Sequence, residues 1–199
     1  VEAELSQLFV RKAMEKVSSC TNLPPLFLNT HPAEVDNPEL PRLIHKIRSI
    51  APHIRIVLEF HEAVLDDLPR IAKLRTEFAE LGIGLAYDDF GHGRARFYEL
   101  ADVPPDYLKF DIRLVSGIDK APESRLRFMS SLVSAAHDLD IQTIAEGIER
   151  QEELETLARF LLDPKRLQIF IVADKTTKLK DANGGEVMLE EDLKQLAQD

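Results

Sequence analysis

Residues 82–111, GIGLAYDDFGHGRARFYELADVPPDYLKFD, decide how this chain is read. The stretch opens on a short apolar run, residues 83–87, which reads as a buried strand stopping on two adjacent carboxylates, Asp88 and Asp89. Gly91 and Gly93 then loosen the backbone, and a second apolar run, residues 107–110, carries Lys109 and leads into Asp111. One Asp at a strand end is usually a helix cap or part of a solvated turn. Two together are costly to desolvate unless a cation or a hydrogen-bond network holds them. Followed by Gly-x-Gly and Lys-x-Asp, they read as a site.

Working outward, the same alternation repeats. Apolar residues at helical spacing predict helices over residues 2–19, 38–49, 65–81, 95–101, 124–139 and 151–160. Gly82 closes the third of these as a C-terminal cap. Short apolar runs at residues 26–28, 54–58, 83–87, 107–110 and 141–145 predict strands between them. Strand–helix alternation of this kind calls for an α/β fold with a parallel sheet. An open doubly wound sheet or a barrel would satisfy it. Asn29, Glu59, Asp88, Lys109 and Glu146 each stand at the end of a different predicted strand. A barrel gathers such ends at one mouth, whereas an open sheet spreads them along an edge. The expectation is therefore a modified TIM-type barrel, incomplete in this chain because five strands do not close an eight-stranded ring.

Composition narrows the class. The chain has 199 residues, 44% hydrophobic and 30% charged, which suits one sizeable globular domain. A net charge of −10 argues against a nucleic acid polymer as partner, since that needs a basic footprint. It leaves room for a small anionic ligand held through metal ions. A single cysteine, Cys20, forms no disulfide within the chain and reads as a buried thiol in a reducing compartment. With no apolar run of membrane-spanning length and no signal peptide, a cytoplasmic location is expected, alone or as a module of a larger or membrane-tethered protein.

The predicted strand ends offer Asn, Glu and Asp oxygens, the donor set preferred by Mg²⁺, Mn²⁺ or Ca²⁺. Two adjacent Asp can serve two ions about 4 Å apart, as in-line phosphoryl hydrolysis requires. A Lys beside them could hold the attacking water or neutralise developing charge. Taken singly, each acid is more often a cap and Lys109 a plain salt-bridge partner; the set of five carries the reading. His31, His61 and His92 lack the spacing of a zinc motif and read as surface or supporting residues. Arg94 and Arg96 either reach a ligand phosphate or lie in solvent.

The motifs resemble a known family. Asp88-Asp89-Phe90-Gly91, Lys109-Phe110-Asp111 and Ala145-Glu146-Gly147-Ile148-Glu149 are similar, in order and spacing, to the EAL domains of bacterial cyclic di-GMP signalling. Leu28-Asn29 resembles that family's strand-end Asn. Glu59 and Glu62 resemble its ExTE element, with His61 in place of Thr. The resemblance implies a modified TIM barrel that hydrolyses cyclic di-GMP to linear pGpG with two Mg²⁺ or Mn²⁺ ions. By motif, Asn29, Glu59, Asp88, Asp89 and Glu146 would be metal ligands, Lys109 would hold the catalytic water, and Glu149 would support the adjoining loop. Arg94 and Arg96, in the loop after Gly93, are the candidate substrate-binding residues.

The EAL-like domain is assigned to residues 1–168. The family's Glu-Ala-Leu element and a Gln-Gly strand are expected in the full-length protein and are not in this chain. Residues 169–199 read as barrel closure or a C-terminal extension, with a strand at 169–173 and a helix at 189–197. Expected partners are cyclic di-GMP, a second copy in a homodimer, and further signalling domains. Two other functions stay open: a degenerate module that binds the dinucleotide or a protein partner without turnover, and an unrelated barrel enzyme acting on a phosphorylated small molecule.

Overall fold

The computed structural model describes residues 25–35, 37–50, 52–91, 97–160 and 167–169. These fall into two compact units, one within residues 1–88 and 96–106, the other within 89–95 and 107–199.

The first unit is built on three parallel strands in chain order, β1 (Leu26–Thr30), β2 (Ile56–His61) and β3 (Ile83–Phe90), the last two residues of β3 belonging to the second unit. Between them come a short helix α1 (Pro32–Val35), α2 (Leu40–Ile50), a 3-10 turn (Glu62–Asp66) and α3 (Leu68–Glu80). Ile56 to Phe60 are all buried, the continuous pattern of a parallel strand covered on both faces. Helix α2 buries Leu40, Ile44 and Ile47, and α3 buries Ile71, Leu74 and Phe78. Burying each such side chain stabilises the fold by about 1.5–3 kcal/mol. Phe78 meets Phe60 edge to face, with ring centroids 5.9 Å apart, which locks α3 onto β2.

Helix α3 starts at Asp67, whose carboxylate accepts the Arg70 amide, and it ends at Gly82 with φ 63°, the left-handed cap predicted there. Arg48, at the end of α2, donates to the carbonyls of Ile54 and Gly82, both at 2.8 Å. After α4 (Phe97–Asp102), Asp106 accepts the Leu85 amide at 2.8 Å and pairs with Arg75.

In the second unit β4 (Tyr107–Phe110), β5 (Gln142–Ala145) and β6 (Leu167–Ile169) are again parallel and in chain order. The connections contain a short helix α5 (Ile112–Val115), a 3-10 turn (Ile118–Lys120), α6 (Glu123–Asp138) and α7 (Gln151–Phe160). Every residue of β4 is buried, Lys109 included. Helix α6 covers the strands with Met129, Leu132, Val133 and Ala136. Phe90, which belongs to this unit, meets Phe110 edge to face, and its carbonyl accepts the Asp111 amide at 3.3 Å.

The parallel strand–helix alternation is as the sequence predicts; several boundaries are not. Strands β2 and β3 do not stop on their acids: β2 runs on through fully buried Phe60 to His61, and β3 to fully buried Phe90. Glu59, Asp88 and Asp89 therefore lie within strands. Leu65 belongs to the 3-10 turn, because the helix begins only at the Asp67 cap. The last strand among the described residues is Leu167–Ile169, which contains the first residue of the strand predicted at 169–173. The predictions for residues 2–19, for Cys20, His92, Arg94 and Arg96, and for the tail beyond residue 169 lie outside the described residues.

Candidate functional site

In the first unit, strand register sets the chemistry. Asn29 pairs with Glu59 across β1 and β2, and His61 pairs with Asp88 across β2 and β3. Side chains two residues apart on a strand share a face, as do registered neighbours. Asn29, Glu59, His61 and Asp88 thus stand on one face of this sheet. Glu59 is buried, Asn29 exposed, and His61 and Asp88 half-buried. His61, expected among surface or supporting residues, belongs to the face carrying the candidate ligands.

Asp89 follows in a left-handed conformation, φ 56°, which Asp tolerates better than most residues. Strict alternation would send Asp88 and Asp89 to opposite faces; the left-handed residue breaks that alternation at the second acid.

The second unit places a cation beside a carboxylate. Lys109 Nζ lies 2.9 Å from Glu146 Oε1. The lysine is 7% exposed because its whole strand is covered. Glu146 comes directly after β5, and its amide makes a long hydrogen bond, 3.4 Å, to the Phe110 carbonyl. Asp111 is also buried, and it caps α5 by accepting the Arg113 amide at 2.7 Å.

Beyond Glu146 the chain turns at Gly147, φ 68°, against the side chain of Ile112. It then enters α7, where Glu153 accepts the amides of Glu149 and Arg150, each at 3.2 Å, and that of Gly117 at 2.7 Å. Arg150 bridges Glu153 to Asp119. Arg150 holds the Asp119 carboxyl below its usual range, chiefly by direct hydrogen bonding. Burial pushes the Glu153 carboxyl up, but the bonds from Gly117, Arg150 and Glu149 outweigh it and bring it below the usual range. Sequence reading passed over this cluster. Its one signal was a Glu at the third position of a helix, half of a capping box.

The donor types, an amide oxygen and carboxylates, suit a hard divalent cation. Among the described residues, no three His, Cys, Asp or Glu side chains form a ready-made metal cluster. No helix among the described residues is long and apolar enough to cross a membrane.

A family model described as the EAL domain matches residues 1–163. This chain belongs to the EAL domain family. A Caulobacter vibrioides uncharacterized signaling protein is 29% identical over 131 residues, covering 64% of this chain and 16% of that protein. The Escherichia coli cyclic di-GMP phosphodiesterase PdeR is 38% identical over 77 residues, covering 39% of this chain and 12% of that protein. This EAL chain thus spans less than a fifth of the length of either relative.

Solved EAL structures share its fold. The EAL domain of Mycobacterium smegmatis DcpA superposes with a TM-score of 0.73 at 24% identity, covering 80% of this chain and 75% of that one. A standalone EAL protein from Vibrio cholerae O395, bound to c-di-GMP, gives 0.66 at 26% identity, covering 79% and 68%. Klebsiella pneumoniae BlrP1, in complex with manganese and c-di-GMP, gives 0.70 at 24% identity, covering 79% and 41%. The strand–helix alternation of this EAL chain is accordingly that of a TIM-type α/β fold.

Proposed function

We propose that this chain hydrolyses cyclic di-GMP to linear pGpG with the help of Mg²⁺ or Mn²⁺. The observation that carries the reading is the buried Lys109 held 2.9 Å from Glu146, in a chain of the EAL family. An isolated salt bridge gives little reason to bury an ammonium in a strand. A fixed positive charge that orients a nucleophile does, because it acts without reorganising as the reaction proceeds.

Asn29, Glu59, Asp88, Asp89 and Glu146 are the oxygen donors in this reading. Bound metal supplies activation of water and screening of phosphate charge. Lys109 holds the attacking water by donating a hydrogen bond to its oxygen, and Glu146 fixes the direction of the ammonium. Glu149 supports the loop after Glu146. Arg94 and Arg96 are the candidate contacts to the substrate phosphates. Relatives of which the matched segment is only 16% and 12% support a setting alongside other signalling domains.

The test is to incubate the protein with cyclic di-GMP and Mn²⁺ and separate the products by chromatography. Release of pGpG supports the phosphodiesterase. Binding of the dinucleotide without product would make the chain a receptor.

A further inference from the structure

The strand ladder reaches Glu146 of the Lys109–Glu146 pair through the long 3.4 Å bond from its amide to the Phe110 carbonyl. β5 ends at Ala145, so the direction of the Glu146 side chain depends on what fastens the residues after it. Two contacts do so: Gly147 sits against Ile112, and the amides of Glu149 and Arg150 donate to Glu153. The other oxygen of the same carboxylate accepts the Gly117 amide, from the segment that follows Lys109 along the chain. That segment is tied down further by Arg125, which donates to the carbonyls of Arg113, Leu114 and Ser116 at 2.6–3.2 Å.

One buried side chain therefore joins the loop after β4 to the loop after β5. Glu153 is 3% exposed and lies in the first turn of α7. A helix cap alone would need only the Arg150 amide. The bonds to Gly117 and Glu149 go beyond capping and fix the spacing of two loops.

The geometry points to Glu153 as a positioning residue, one that holds Glu146 where it can pair with Lys109 by clamping the Gly117 and Glu149–Arg150 amides together. Its catalytic consequence rests on the phosphodiesterase reading given above; the pairing itself does not. Arg150 and Asp119 brace the clamp from outside, so losing Asp119 should matter far less than losing Glu153.

The test reads the pair directly. In the full chain, the ¹⁵N-labelled Lys109 ammonium is observed by NMR and identified by its disappearance in Lys109→Met. In Glu153→Ala the clamp is gone, and the ammonium signal should shift and lose its protection from exchange. Glu153→Gln, which keeps the volume and is the safer variant for folding, should lose part of that protection. Asp119→Asn should retain it. If the protein turns over cyclic di-GMP, Glu153→Ala should lower kcat by about 100-fold, the scale of a small misplacement of a reacting group, with KM within about twofold.

An unchanged Lys109 signal in Glu153→Gln, with the Gly117 and Glu149 amides deprotected, would overturn the proposal and leave Glu153 a purely local fastening. Absence of turnover in the wild type would count against the phosphodiesterase alone. The ammonium signal would still decide the role of Glu153.

Discussion

Lys109 Nζ and Glu146 Oε1, 2.9 Å apart, join a fully buried strand to the first residue beyond its neighbour. Removing one partner of a buried pair costs more than removing the charge that had to be buried. Glu146→Gln should therefore destabilise the protein by about 1–3 kcal/mol in urea denaturation, because the ammonium stays buried without this carboxylate. Lys109→Met should cost less. A double-mutant cycle on the two positions measures their coupling, and a larger loss for Lys109→Met would contradict the ranking.

Binding of Mn²⁺ to the folded state raises stability by about 2.7 kcal/mol when the ion is at a hundred times its dissociation constant. Thermal melts of the wild type should show such a rise. Asp88→Asn and Glu59→Gln should show much less. An equal shift in the wild type and in Asp88→Asn would remove Asp88 from the donors.

Much of the fold was legible because helix spacing and short apolar runs are local signals. The β4 strand and the 151–160 helix stand where they were predicted. The errors cluster at the site. Glu59, Asp88 and Asp89 look like strand terminators because acids are rare inside sheets, and the buried Phe60 and Phe90 beyond them carried too little weight. His61 was read as a surface or supporting residue; its register opposite Asp88, which cannot be read from one strand, places it on the donor face. Glu153 was missed because two of its three amide partners, Gly117 and Glu149, lie beyond the capping position Arg150 of its helix. The Lys109–Glu146 pair was legible as two strand-end residues, but its geometry was not.

Acid should loosen the clamp on α7. The folded-state pKa values of Asp119 and Glu153 lie below their usual ranges. Their contribution is therefore present above the unfolded values, near about 3.9 and 4.3, and is lost as pH falls through the folded ones. The melting temperature of Glu153→Gln should fall less steeply than that of the wild type between about pH 5 and pH 2. Parallel curves would contradict the shift at Glu153.

Gly82 and Gly147 both adopt left-handed backbone, φ 63° and 68°, but a Cβ on Gly82 meets nothing within 4 Å while one on Gly147 would overlap Ile112. Gly82→Ala should cost about 1–2 kcal/mol, the conformational penalty alone. Gly147→Ala should cost at least about 1 kcal/mol more by chemical denaturation, since overpacking adds to it. Equal costs would mean that the Ile112 side chain moves aside freely.

The most direct measurement compares wild type with Lys109→Ala at saturating Mn²⁺, following pGpG by chromatography and cyclic di-GMP binding by calorimetry. The account predicts pGpG from the wild type, a loss of turnover of about 100-fold or more in Lys109→Ala, and dinucleotide affinity largely kept in both. Equal rates of pGpG release from the two proteins would contradict it.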